Sequence, residues 1–169
     1  MRHFFIPILM KTIYITLLAI FILTPCVISC TGGDTLDIDE EKPSLELNYK
    51  DGFPQSCSHL LKGETYNFRV RATDNIALAA YSLDIHHNFD HHTHDNQGEA
   101  CELYPVRDPE NPFIYIENFS IENRPTEYEI VIPVTIPLDV DTGDYHCQFS
   151  VTDVTGWQTR TSVDIKIRE

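Results

Sequence analysis

The chain has 169 residues and carries 26 acidic side chains against 12 basic ones, a formal charge of −14. Its length bounds the folded part to one domain. So acidic a surface disfavours nucleic acid and anionic membranes and concentrates cations, which makes cationic ligands the better partners.

Residues 1–29 read as a signal. Arg2 and Lys11 supply positive charge, and Ile13 to Leu23 form a short apolar run. Spanning a hydrocarbon core of about 30 Å takes about 20 helical residues, so the run suits a signal better than a permanent span. Val27-Ile28-Ser29-Cys30 resembles the lipobox of bacterial lipoproteins. That resemblance implies cleavage before Cys30 and lipidation of its thiol; a plain secretory signal with an incidental cysteine is the alternative. Removing residues 1–29 changes the balance to 10 basic against 26 acidic side chains, a formal −16.

Residues 30–43 read as a lipidated cysteine followed by a flexible linker, with Asp34, Asp37, Asp39, Glu40 and Glu41 among few apolar residues. At about 3.5 Å per residue, such a tether reaches some 40 Å from the lipid. An acidic tether behind the cysteine resembles the surface-export signal of Bacteroides-type lipoproteins. It implies a cell-envelope protein, lipid-anchored at the outer membrane and exposed at the surface.

Residues 44–169 read as all-β. Short alternating segments, punctuated by Gly, Pro, Asp and Asn, predict strands at Ser44 to Tyr49, Thr65 to Thr73, Leu78 to His87, Phe113 to Ile121, Tyr128 to Ile136, Asp144 to Thr152 and Gln158 to Ile167. Seven strands at this spacing suggest a β-sandwich. Asp141-Thr142-Gly143-Asp144-Tyr145-His146-Cys147 resembles the D-x-G-x-Y-x-C corner of immunoglobulin domains. The resemblance implies an immunoglobulin-like sandwich in which the tyrosine hydroxyl bonds back to the corner and Cys147 faces the core. The preceding strand, with Tyr66, Phe68 and Val70 inward, offers no cysteine partner, so Cys147 is expected to be a buried free thiol. Val70 to Asn75 and Val151 to Trp157 resemble turn-flanked strands of bacterial extracellular Ig-like modules, but the favoured reading is Asx turns with a core tryptophan.

Antiparallel succession puts Cys57 and Cys101 at one pole, where a disulfide would pin the base of the loop between them. Cys147 with either of the others is the competing connectivity. At the same pole, His86-His87-Asn88-Phe89-Asp90-His91-His92-Thr93-His94 gathers five of the eight histidines. Imidazole is the commonest ligand for zinc and copper. Parity turns Leu83 and Ile85 inward with Tyr145, Cys147 and Phe149, so His86 and His146 face outward on adjacent strands. Cross-strand Cβ atoms about 4.5–5.5 Å apart let two imidazoles share one ion. The expected ligands are therefore His86, His146, His92 and His94, with His91 as a further donor. Asp90 either ligates or orients a ring. His87 has inward parity and suits a core role, and His59 is a remote candidate. A solvated hairpin and a calcium site at Asp139, Asp141 and Asp144 are the competing readings.

The histidine segment, the Gly143-Asp144-Tyr145-His146 segment and the lipobox together resemble the bacterial lipoprotein family catalogued as domain of unknown function 4625. The resemblance covers most of the mature chain and implies an immunoglobulin-like fold, an envelope location and a histidine-rich site. The expected function is capture of Zn²⁺ or Cu²⁺, with hand-off to an outer-membrane transporter or another surface protein. An adhesive or structural module whose metal only braces a loop is the alternative. No H-E-x-x-H, no nucleophile elbow and no second suitably spaced carboxylate accompanies Asp90, so an enzyme is not expected.

Overall fold

The computed structural model describes residues 38–93 and 101–169, and the signal sequence, Cys30 and His94 lie outside them. The described chain forms eight strands: β1 (Ser44–Glu46), β2 (Ser58–Leu61), β3 (Thr65–Thr73), β4 (Leu78–His87), β5 (Tyr115–Ser120), β6 (Glu127–Thr135), β7 (Gly143–Asp153) and β8 (Gln158–Arg168). They build a sandwich of two sheets, ordered β1-β3-β6 and β2-β8-β7-β4-β5.

Side-chain alternation decides the layering. Phe68, Val70 and Ala72 of β3 and Ile130, Ile132 and Val134 of β6 are buried, while their neighbours in sequence are largely exposed. Leu83 and Ile85 of β4, Tyr145, Cys147, Phe149 and Val151 of β7, and Val163, Ile165 and Ile167 of β8 supply the opposing face. Each large side chain so buried stabilises the fold by about 1.5–3 kcal/mol.

The sequence predicts seven strands and the structure has eight. The additional strand, β2, pairs in parallel with the end of β8, with Ser58 opposite Ile165 and Leu61 opposite Arg168. Only Leu60 of its four residues is buried, so it carries too little alternation to be read as a strand.

The Asp141–Cys147 corner is formed. Tyr145 is fully buried, and its hydroxyl donates to the Asp141 carbonyl at 2.6 Å while accepting the Phe113 N–H at 3.2 Å. Burial pushes the phenol up to about 12, against the opposing pull of the Phe113 N–H. Cys147 is a free, buried thiol, and burial raises its pKa well above the ordinary value. Gly143 has φ +138°, and a Cβ there would lie 2.8 Å from the Phe89 ring, so glycine lets the end of the β4 segment lie directly on the start of β7.

Candidate metal centre

Register assembles the centre before any loop is considered. His86 on β4 lies opposite His146 on β7, and His146 lies opposite Asp164 on β8. The inward residues on either side of this row, Ile85, Tyr145 and Cys147, are fully buried, so the row itself sits on the outer face of the sheet. His146 is nevertheless only 4 % exposed. The connection after β4 crosses above it: Asn88 N–H donates to the Asp144 carbonyl at 2.8 Å, and Arg107 N–H donates to the Phe89 carbonyl at 3.0 Å. Cys101, further along that connection, is disulfide-bonded to Cys57 just ahead of β2, with Cα atoms 5.6 Å apart.

The loop brings His92 over this row. Ring centroids of His86, His92 and His146 are 5.3, 4.9 and 5.6 Å apart pairwise. The Nε2 atoms of His86 and His92 face each other at 3.2 Å. Imidazole nitrogens at about 2.0–2.1 Å from a tetrahedral ion stand about 3.3–3.4 Å apart, so the Nε2 atoms of His86 and His92 have the spacing of two ligands on one ion, with the His146 ring beside them.

Each ring meets a carboxylate through Nδ1. His86 Nδ1 is 2.8 Å from Asp84 Oδ1, His92 Nδ1 is 2.6 Å from Asp90 Oδ1, and His146 Nδ1 is 2.7 Å from Asp164 Oδ1. Donation from His92 holds the Asp90 carboxyl below its ordinary value, against a smaller opposing effect of burial. A proton on Nδ1 of His86 or His92 turns Nε2 into the ligand nitrogen and raises its basicity, as outer carboxylates do for metal-bound imidazoles. The His86–His92 contact at 3.2 Å is a hydrogen bond when one Nε2 carries a proton, and a cation between the two nitrogens takes that proton's place. His146 Nε2 donates to the His92 carbonyl at 3.1 Å, so ligation through that atom releases its proton to solvent and exchanges one hydrogen bond for a metal bond.

The remaining sequence candidates fall elsewhere. His91 adopts φ 58° and its Nε2 donates to the Tyr104 carbonyl at 2.8 Å, which sets it apart from the three rings. Asp90 braces His92, the second of the two roles its position allowed. His87 packs on Phe89 with ring centroids 4.9 Å apart, and burial lowers its pKa, opposed by the charge of Asp90. Its Nδ1 has no hydrogen-bond partner among the described residues, so it is a packed rather than a satisfied histidine. His59 accepts from Arg168 at 3.1 Å, apart from the ring cluster. His94 lies outside the described residues. Asp84 and Asp164 were not anticipated: Asp84 follows from period-two parity with His86, and Asp164 from the turn that sets the β7–β8 register.

Of the acids in the alternative calcium reading, Asp139, Asp141 and Asp144, the last two have bracing roles. Asp141 Oδ2 accepts N–H groups of Glu110 and Asn111 at 2.8 and 2.9 Å, and Asp144 pairs with the Lys166 ammonium and accepts the Tyr104 N–H at 2.6 Å. These acids fasten the long connection to the sheet.

Residues 28–168 match the family described as Domain of unknown function (DUF4625), and the chain belongs to that family. Among solved structures it resembles Spo0M, a sporulation control protein from Bacillus subtilis, at 14 % identity and a TM-score of 0.38. The likeness covers 76 % of this chain and 49 % of that one, so the chain spans about half the length of the protein it resembles. No match emerged among curated proteins.

Proposed function

We propose that this protein is a lipid-anchored component of the cell envelope whose immunoglobulin-like sandwich captures Zn²⁺ or Cu²⁺ and passes it to an outer-membrane uptake partner. The observation that carries the reading is the convergence of His86, His92 and His146, each with a carboxylate oxygen within 2.8 Å of its Nδ1. Nitrogen donors without thiolate favour zinc or copper over calcium or magnesium. His94, two residues beyond His92, is the candidate for a fourth position from its spacing. The acidic surface draws cations toward the site. Ligand imidazoles must be neutral, so affinity falls as pH drops below about 6.5 and protons compete for the same nitrogens.

Titrating the metal-stripped chain calorimetrically with Zn²⁺ and Cu²⁺ tests this. Saturable binding is expected at neutral pH, weakening toward pH 5 and lost when His92, His94 and His146 are all replaced by alanine. Binding that survives the triple replacement ends the proposal.

A second reading, in which the ion only braces the loop, draws on the near-complete burial of His146. Exchange separates the two: a captured ion leaves to a competing chelator without unfolding, whereas a bracing ion leaves only as the domain melts.

A further inference from the structure

Three carboxylates meet at the pole opposite the histidines. Asp39 precedes β1, Asp74 directly follows β3 and Asp153 ends β7, and one oxygen from each lies within 4.8 Å of the others. Two oxygens at about 2.3–2.6 Å from a common Ca²⁺ stand at most about 5 Å apart, so the three fit one ion.

Turn formation accounts for one oxygen of Asp74 and one of Asp153. Asp74 Oδ1 accepts the N–H groups of Ile76 and Ala77 at 2.9 and 2.7 Å. Asp153 Oδ1 accepts from Thr155 N and Oγ1, Gly156 N and Trp157 N, all between 2.6 and 2.9 Å. The second oxygens are unexplained by any turn. Asp153 is only 2 % exposed, yet its Oδ2 has no hydrogen-bond partner among the described residues, and the buried Asp74 Oδ2 has none either. A bare buried carboxylate oxygen is costly to desolvate, and acids gathered this closely repel one another as well. Among the described residues no lysine, arginine or histidine nitrogen lies within ion-pair reach of these three acids.

Asp39 is seated to complete the group. Its Oδ1 accepts from Asn75 Nδ2 at 3.0 Å and from Glu41 N–H at 3.1 Å, its Oδ2 accepts from Thr155 Oγ1 at 3.1 Å, and its carbonyl accepts the Trp157 indole N–H at 2.9 Å. Thr155 Oγ1 bridges Asp39 Oδ2 and Asp153 Oδ1, its one proton serving either, and so ties two of the acids together. An all-oxygen, triply anionic site selects a hard divalent ion, and the loose geometry of side chains from three separate turns suits Ca²⁺ better than the strict octahedron of Mg²⁺.

We propose that Asp39, Asp74 and Asp153 bind one Ca²⁺ ion that fastens the segment leading into β1 to the turns after β3 and β7. The site is independent of the histidine cluster. Extracellular modules of this kind bind with dissociation constants of about 10⁻⁴–10⁻³ M.

Trp157 is the only tryptophan in the chain and is bonded to Asp39, so its fluorescence reports this pole alone. The full chain, stripped of metal, is melted with and without about 5 mM Ca²⁺, above the weakest sites of this class. The expected result is a saturable change in Trp157 emission and a rise in Tm of at least about 3 °C, as linkage to the folded state requires. Asp74→Asn and Asp153→Asn should abolish both responses, and in the calcium-free state each should melt no lower than the parent, since an amide removes one of the clashing charges. Should Asp153→Asn fail to fold, Asp74→Asn and Asp39→Asn carry the test. His146→Ala should leave the response intact. Equal melting and emission with Ca²⁺ and with chelator in the parent chain, or a calcium response that persists in Asp74→Asn and Asp39→Asn, overturns the site.

Discussion

Among the described residues, Asp164 meets the histidine cluster at the Nδ1 side of His146, 2.7 Å away, where it bears on how that ring is held and which nitrogen it offers. Replacing it with asparagine keeps the shape and removes the charge. The expected outcome is a 10- to 100-fold loss of zinc affinity, about 1.4–2.7 kcal/mol, with the circular dichroism of the fold unchanged. Zinc titration of Asp164→Asn checks this, and an unaltered dissociation constant would remove Asp164 from the centre. At this scale the sequence was half legible. His86 and His146 could be placed side by side because period-two parity and one strand pairing suffice. Asp164 could not, because its position opposite His146 depends on how many residues the Val154–Trp157 turn consumes. His91 was misread for a related reason: a left-handed backbone at φ 58° swings its ring to the Tyr104 carbonyl, and nothing in the run of histidines announces that turn.

The connection from β4 to β5 is the element on which the cluster depends, since it supplies His92 while strands supply the other two rings. Its base is held covalently by Cys57–Cys101, cysteines 44 residues apart in sequence. Closing a loop of that length stabilises a fold by about 2–4 kcal/mol when unstrained. The Cys57→Ser, Cys101→Ser double variant should therefore unfold at lower urea concentration by that amount. Its zinc affinity should fall too, because His92 loses a fixed platform. Urea titration followed by zinc binding on the same sample measures both; stability equal to the parent's would contradict the assigned role. Long strands such as β3 and β6, where alternation runs over nine residues each, were legible from hydropathy alone. β2 was not: four residues with a single buried side chain are defined by their partner β8 rather than by their own pattern.

Across the whole domain, β4 runs from one pole to the other, and Leu78 to His86 at about 3.4 Å per residue separates the poles by about 27 Å. The nitrogen cluster lies at one end of that strand and the carboxylate cluster at the other. Sites so far apart should behave additively, within about 0.3–0.5 kcal/mol. Zinc titrations run with and without saturating calcium should give matching affinities, and a shift of tenfold would reveal coupling. The carboxylate pole was the least legible part of the molecule. Asp39, Asp74 and Asp153 come from three distant stretches, each of which reads locally as an ordinary linker or turn, and only the folded chain brings them together. The disulfide carries one further implication. Thiols stay reduced wherever glutathione is abundant, so a newly made chain still in such surroundings holds its histidine-bearing loop without the covalent clasp. Under the proposed function, the reduced chain should bind zinc more weakly than the oxidised one, in the same direction as the Cys57→Ser, Cys101→Ser variant.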